Sequence, residues 1–305
     1  MGIINFMNSC INCDKFRTII NETNEKKYKR QKLKILPDSE NKILNFKESN
    51  ILELKFGKEK ISQFHLPDLS HLYYFYYKCE TVDDSGWGCA WRSMQSALKY
   101  QLSLSNQNRD KDISFYNLFM KYGDKNTLID IYMNMEKNQN KSEIKNKLIE
   151  KQFAPHETDC GWAEPFISQL VLYDFGFEGE LILINDYSKH NYAPKEVFSR
   201  TLSFKEFKEL LKNYFYQENP GPIIIDDGFS SLSIIGVKFD EEKENIEIII
   251  MDPHTVDYPE IGLYIIILNK EGDRIEIIPK EQVLCSRAVQ FSNNKPWMVY
   301  IPKIS

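Results

Sequence analysis

Apolar positions along the chain fall into two periods. Trp91, Met94, Leu98 and Leu102 recur at three and four residues, the spacing of one helix face, which predicts a helix from Cys89 to about Leu102. A second helix is expected from Pro165 to Leu172, opening on a proline, and a third from Phe204 to Phe215, with Phe204, Phe207, Leu210, Leu211 and Tyr214 on one side. Residues 105 to 151 are rich in Asn and Lys but keep helical patches at Phe115, Tyr116, Leu118 and Phe119, and at Ile144, Leu148 and Ile149. They read as an elaboration on a core. Near the start, Ile43, Leu44, Phe46, Ile51, Leu52, Leu54 and Phe56 suggest short strands.

The C-terminal third changes period. Short runs rich in β-branched and aromatic residues occupy 181–184, 223–225, 232–239, 246–251, 263–268, 275–278 and 297–301. Pro220-Gly221, Asp240 to Asn245 and Glu271-Gly272-Asp273 supply turns between them. Helices first and strands later predict an α+β fold, with an N-terminal helix packed on a mostly antiparallel sheet. Two parts are expected: a basic, flexible N-terminal extension over 1–40, and a folded domain over 41–305 with the elaboration at about 103–153.

Composition narrows the function classes. At 305 residues with 42% hydrophobic content, the chain buries a substantial core. A net charge of -5 and a pI near 5.7 offer no overall basic field, so nucleic acid is not expected as a partner. The six positive charges between Lys26 and Lys34 read as a solvated arm, with recruitment to a partner as its alternative use. No run approaches the roughly 18 apolar residues of a membrane span. The start lacks a secretory signal, and position 6, where N-terminal acylation wants Ser or Thr, is Phe6. Six cysteines are thinly spread and read as reduced thiols, so the cytoplasm is the expected compartment; association with the surface of the endoplasmic reticulum is a separate expectation that cysteine usage does not carry. Cys10 and Cys13 form a lone C-x-x-C without a second ligand pair, so no metal and no cofactor is expected.

Two segments carry chemistry. In Asp83-Asp84-Ser85-Gly86-Trp87-Gly88-Cys89-Ala90-Trp91-Arg92, a cysteine opens the predicted helix, where unpaired N–H groups and the helix dipole favour a thiolate nucleophile. Gly86 and Gly88 let the backbone turn sharply into the helix and leave room for a substrate chain beside the Cys89 N–H. In Met251-Asp252-Pro253-His254, directly after the run 246–250, positions two apart in an extended chain project to one side. Asp252 can therefore orient His254. A catalytic thiol needs a base for its proton and an acid for the leaving amine, and one oriented histidine supplies both. His65, His71, His156 and His190 have no such context.

Taken together, G-W-G-C-A-x-R followed by Ser93 and Gln95, with D-P-H downstream at a strand end, resembles the ubiquitin-fold-modifier-specific proteases from about Tyr73 to Ile301. The resemblance implies a papain-like fold and a cysteine peptidase that cuts after the C-terminal glycine of a ubiquitin-like modifier, maturing its precursor and releasing it from conjugates. It implies Cys89 as nucleophile, His254 as base, Asp252 as orienting acid, and Tyr77, twelve positions before Cys89, as an oxyanion-hole hydroxyl. Trp87 and Trp162 are the candidates for lining the passage of the modifier tail. Cys79 and Cys160 are expected to pack. The chain departs from the family at Asp226-Asp227-Gly228-Phe229-Ser230-Ser231, where a glycine-rich stretch is usual, and at Thr255-Val256-Asp257 in place of Tyr-Thr-Gly. D-P-H-T is closer to the autophagy cysteine peptidases, which act on a different ubiquitin-like modifier and are the alternative reading. A silent module that only binds the modifier is the third, and the joint presence of Cys89, Asp252, His254 and Tyr77 argues against it.

Overall fold

Isoleucine-rich runs with little polar alternation need cover on both sides of the sheet they form. The structure, a computed structural model, describes residues 43–80, 82–105, 112–135, 141–151, 153–157, 161–185, 195–254, 262–278 and 296–304, and the N-terminal extension, Cys160 and His190 lie outside them. In chain order come β1 (Leu44–Asn45), α1 (Phe46–Ser49), α2 (Ile51–Phe56), α3 (Lys58–Ile61) and β2 (Tyr73–Tyr74). Then come α4 (Cys89–Leu104), α5 (Phe115–Tyr122), α6 (Lys125–Asn134), α7 (Lys141–Glu150) and α8 (Pro165–Asp174). The second half holds β3 (Gly179–Ile184), β4 (Arg200–Leu202), α9 (Phe204–Phe215), β5 (Ile223–Asp226) and β6 (Ser231–Asp240). β7 (Asn245–Met251), β8 (Leu263–Leu268), β9 (Arg274–Ile278) and β10 (Trp297–Pro302) complete it.

All seven runs read as strands are strands of one sheet, ordered β4-β3-β10-β5-β6-β7-β8-β9 and antiparallel except between β3 and β4. Side chains alternate between its faces. Ile223, Ile225, Leu232, Ile234, Ile248 and Val299 face α9, whose Phe204, Phe207, Leu211 and Tyr214 are buried against them. Ser203 caps α9 through a capping box with Glu206. On the opposite face, Leu181, Ile224 and Tyr300 join a cluster with α4, α5, α6 and α8. Ile235, Ile249 and Met251 on that face meet the segment from Phe46 to Cys79. The expected α+β arrangement of a helix carrying Cys89 on a mostly antiparallel sheet is the observed one.

A register shift between Ile234 and Gly236 lets Ile235 face one core and Val237 the other. Here His65 bridges Val237, and a Cβ on Gly236 would lie 2.5 Å from Leu66 Cδ2. A side chain at this position would require Leu66 to move aside.

Two expectations need correction. Beyond Leu44–Asn45, the stretch to Phe56 is helical, not extended. Asn45 accepts from the Lys47 and Glu48 N–H groups and starts a turn, and the left-handed Asn50 joins α1 to α2. The parallel edge strand β4 was not predicted, because Arg200 and Thr201 are exposed and carry no apolar alternation. Among the described residues no helix is long and apolar enough to cross a membrane.

Leu98, fully buried in the middle of α4, joins that helix to the cluster beneath it. Leu98→Ala is expected to cost about 2–5 kcal/mol in urea denaturation. A loss below about 1 kcal/mol would mean that this contact does not hold the helix in place.

Candidate active site

The loop before α4 is shaped by one carboxylate. Asp84 is fully buried; its Oδ1 accepts from the Lys78 N–H at 2.8 Å, and its carbonyl accepts from the N–H groups of Trp87 at 3.2 Å and Gly88 at 2.9 Å. Gly86 takes a positive φ of 86°, and a Cβ on Gly88 would lie 2.3 Å from Asp84 Oδ2. Both glycines expected to turn the chain are therefore required, one by its dihedral and the other by the approach of Asp84. Gly88 caps α4 and Cys89 begins it.

Asp84 is held in turn by Arg92, one turn inside α4. Arg92 Nε donates to Asp84 Oδ2 at 2.7 Å and Nη2 to Oδ1 at 3.1 Å, a bidentate pair with both side chains at 0% exposure. Arg92 Nη1 donates to Glu80 and, at 2.9 Å, to Gln95 Oε1, while the guanidinium stacks 4.4 Å from the Phe115 ring centroid. Burial alone would lower the Arg92 pKa, but Asp84 overrides it and keeps the guanidinium charged. No role was foreseen for Asp84, Glu80 or Gln95. The signal was present in Arg92, the one charged residue of the helix before Lys99, which calls for a counter-charge if the helix face is buried.

The aromatic run joins α4 to the D-P-H segment. Phe75 N–H donates to Ser96 Oγ of α4 at 3.3 Å. Tyr74 Oη donates to the Asp252 carbonyl at 2.5 Å, and the Tyr77 N–H donates to the Pro253 carbonyl at 2.9 Å. Asp252, 2% exposed, uses Oδ1 twice: it accepts from the His254 N–H at 3.0 Å and meets His254 Nδ1 at 2.5 Å. The two side chains do emerge together at the strand end. A carboxylate accepts only, so the shared proton is assigned to Nδ1 and Nε2 is the nitrogen left for the thiol.

Around the thiol, the structure brings together Cys89, His254, Asp252 and Tyr77. The His254 ring lies close enough to Cys89 for the two to interact. Tyr77 stands edge-on to His254, with ring centroids 5.3 Å apart. Its buried hydroxyl also interacts with Cys89, yet makes no hydrogen bond of ordinary geometry among the described residues. Burial, then the charges of Cys89 and Asp84, push the Tyr77 pKa well up, so the phenol remains a donor at neutral pH. Trp87 is half-buried and packs edge-on against Phe115 and Phe119. Trp162 is half-buried beside Gly161, whose carbonyl accepts from Trp91 Nε1 at 3.0 Å. Cys79 is buried, its Sγ accepts from the Tyr76 N–H at 3.4 Å, and burial pushes its thiol up to about 12. Among the described residues no cluster of His, Cys, Asp and Glu is able to hold a metal ion.

Burial works against a charge on His254, but Asp252, through its charge and its hydrogen bond, and then Cys89 raise the imidazole from 6.5 to about 10. A pKa raised by folding contributes stability fully below the unfolded value and loses it as pH rises through the folded one. The stability gap between the wild type and His254→Ala, measured by urea denaturation, should therefore be widest near pH 6.5 and close towards pH 10. A gap that does not change over this window would contradict an imidazolium held by Asp252.

Comparison with known proteins bears on the same segment. Residues 68–121 match the family model of peptidase family C78. A comparison with curated proteins finds none that matches. A crystal structure of UfSP from C. elegans is similar at 18% identity and a TM-score of 0.43, the likeness covering 77% of this chain and 33% of that one. The chain thus spans about a third of the length of that protein. The family match thus falls on the segment from Asp68 to Lys121, which holds Tyr77, Asp84, Cys89 and Arg92.

Proposed function

We propose that this cysteine peptidase cleaves after the C-terminal glycine of a ubiquitin-fold modifier, with Cys89 as nucleophile, His254 as acid and base, Asp252 as orienting carboxylate and Tyr77 as oxyanion donor. The observation that carries the chemistry is the convergence of a helix-N-terminal thiol, a carboxylate-held imidazole and a buried phenol with an unfilled hydrogen bond. The substrate rests on the nucleophile and D-P-H motifs and on the family match over residues 68–121.

In the first half-reaction the Cys89 thiolate adds to the glycine carbonyl carbon. The oxygen takes up the electron pair, and the Cys89 N–H and the Tyr77 hydroxyl donate to it as its charge develops. Collapse expels the leaving amine, which takes a proton from His254 Nε2, and leaves a thioester. In the second, Nε2 removes a proton from water, which attacks the thioester, and the thiol departs with the modifier carboxylate released. Asp252 keeps Nε2 aimed at sulfur throughout and stabilises the charged ring.

Offered a ubiquitin-fold modifier and an autophagy-type modifier, each extended beyond its terminal glycine, the protein is expected to trim the former. Trimming of the latter alone would overturn the substrate assignment while leaving the chemistry intact. Cys89→Ala, His254→Ala and the double variant should lose nearly the same turnover, since either change removes nucleophilic catalysis. Asp252→Asn should lose less than His254→Ala. Tyr77→Phe keeps the ring and removes one donor, for a loss of about 3 kcal/mol, on the order of 100-fold in kcat. A silent Tyr77→Phe would assign that residue to packing.

A further inference from the structure

A groove on the flank of α4 has no part in the chemistry above. It has a volume of about 440 Å³, and its apolar lining is Ile43, Tyr73, Phe75 and Ile113. Lys99 also lines it, ten residues beyond Cys89 and so about 15 Å further along the helix than the thiol. Three carboxylates, Glu48, Glu80 and Asp112, share the wall with that lysine.

These carboxylates are not equally engaged. Glu80 accepts from Arg92 and Gln95 of α4. Asp112 accepts from groups of its own turn, the Ser114 N–H at 2.8 Å and the Asn117 side chain. Glu48 and Asp112 are both exposed, and among the described residues no lysine or arginine pairs with either. Lys99 does not answer them: its ammonium sits 5.3 Å over the Tyr73 ring.

An acidic groove with an apolar lining fits a basic segment that carries apolar side chains, and the chain has one that leads to the groove's mouth. β1 pairs with β2, Asn45 opposite Tyr73, which brings the chain into the groove at Ile43. Upstream, residues 26–34 hold six positive charges interleaved with Tyr28, Gln31 and Leu33. From Lys34 to Ile43 the chain reaches at most about 30 Å. A tether this short holds the basic run near the groove at an effective concentration on the order of millimolar, where weak exposed ion pairs suffice for occupancy.

We propose that the basic run over 26–34 docks in this groove of its own chain, with its cations on Glu48 and Asp112 and with Tyr28 and Leu33 towards the apolar lining. The inference does not depend on which modifier the peptidase cuts, and its test needs no substrate.

The full chain is treated with a water-soluble carbodiimide, which joins a lysine to a carboxylate when the two are in contact, and the joined peptides are mapped by mass spectrometry. Amide links from the lysines of 26–34 to Glu48 or Asp112 are expected, and in a mixture of isotopically light and heavy protein they should stay within one label. Links from the run to carboxylates scattered over the surface, with none to the groove, overturn the proposal. Links that cross labels overturn it in favour of a second copy as the source of the occupant. Glu48→Gln combined with Asp112→Asn gives an independent readout, since both side chains are exposed and Asn keeps an acceptor for the Ser114 N–H. Trypsin should cut within 26–34 about fivefold faster in that variant than in the wild type, and about 0.5 M salt should bring the wild type to the variant's rate. Equal rates of cutting at low salt overturn the proposal.

Discussion

A guanidinium at 0% exposure dictates the rest of the structure around it. Arg92 cannot enter the core without its counter-charges, so the docking of α4 on the sheet and the closing of the 78–88 loop are one event. Asp84 fills the bidentate side and, through the N–H groups of Lys78 and Gly88, fixes both ends of the loop. Tyr77 stands immediately before that loop and Cys89 immediately after it. One buried ion pair therefore sets the distance between the phenol and the thiol. Replacing Arg92 by an apolar residue would strand two carboxylates, which is why the pair constrains the site more than it stabilises the fold.

The second half of the site arrives from the other end of the sequence. β7 leads His254 to the sheet end, and the aromatic run ties that end back to α4 through Phe75 to Ser96, Tyr74 to Asp252 and Tyr77 to Pro253. These links involve backbone groups as donor or acceptor, which fixes the chain path rather than only a rotamer. The imidazole has little freedom left: one oxygen of Asp252 holds both its backbone N–H and its Nδ1. Such preorganisation is what acid and base work by a single histidine requires.

Much of this was legible before any coordinates. Helix α4, with Trp91, Met94, Leu98 and Leu102 all buried, and the seven apolar strands follow from their apolar patterns, because all but β9, where Ile275 is exposed, bury their apolar runs almost completely. Cys89, Asp252 and His254 were singled out from their motifs and Tyr77 from the family resemblance, and the fold brings the four side chains together. The segment from Phe46 to Phe56 was misread because short apolar runs do not distinguish strand from helix, and two asparagines decided for helix. β4 escaped notice because an exposed edge strand of three residues has no buried face to reveal it. The contacts of Arg92 with Asp84 and Glu80 were invisible for another reason. They join residues through closure of the chain, and no local period encodes the partner.

The central claim is that Cys89 is the nucleophile and that His254 activates it. It is tested most directly with a ubiquitin-fold modifier bearing an electrophile in place of its C-terminal carboxylate, followed by peptide mapping of the adduct. One modifier should attach per chain, at Cys89, with Cys89→Ala unlabelled and His254→Ala labelled far more slowly. Attachment at Cys79 or Cys160, or labelling of Cys89 at the same rate without His254, would contradict the account.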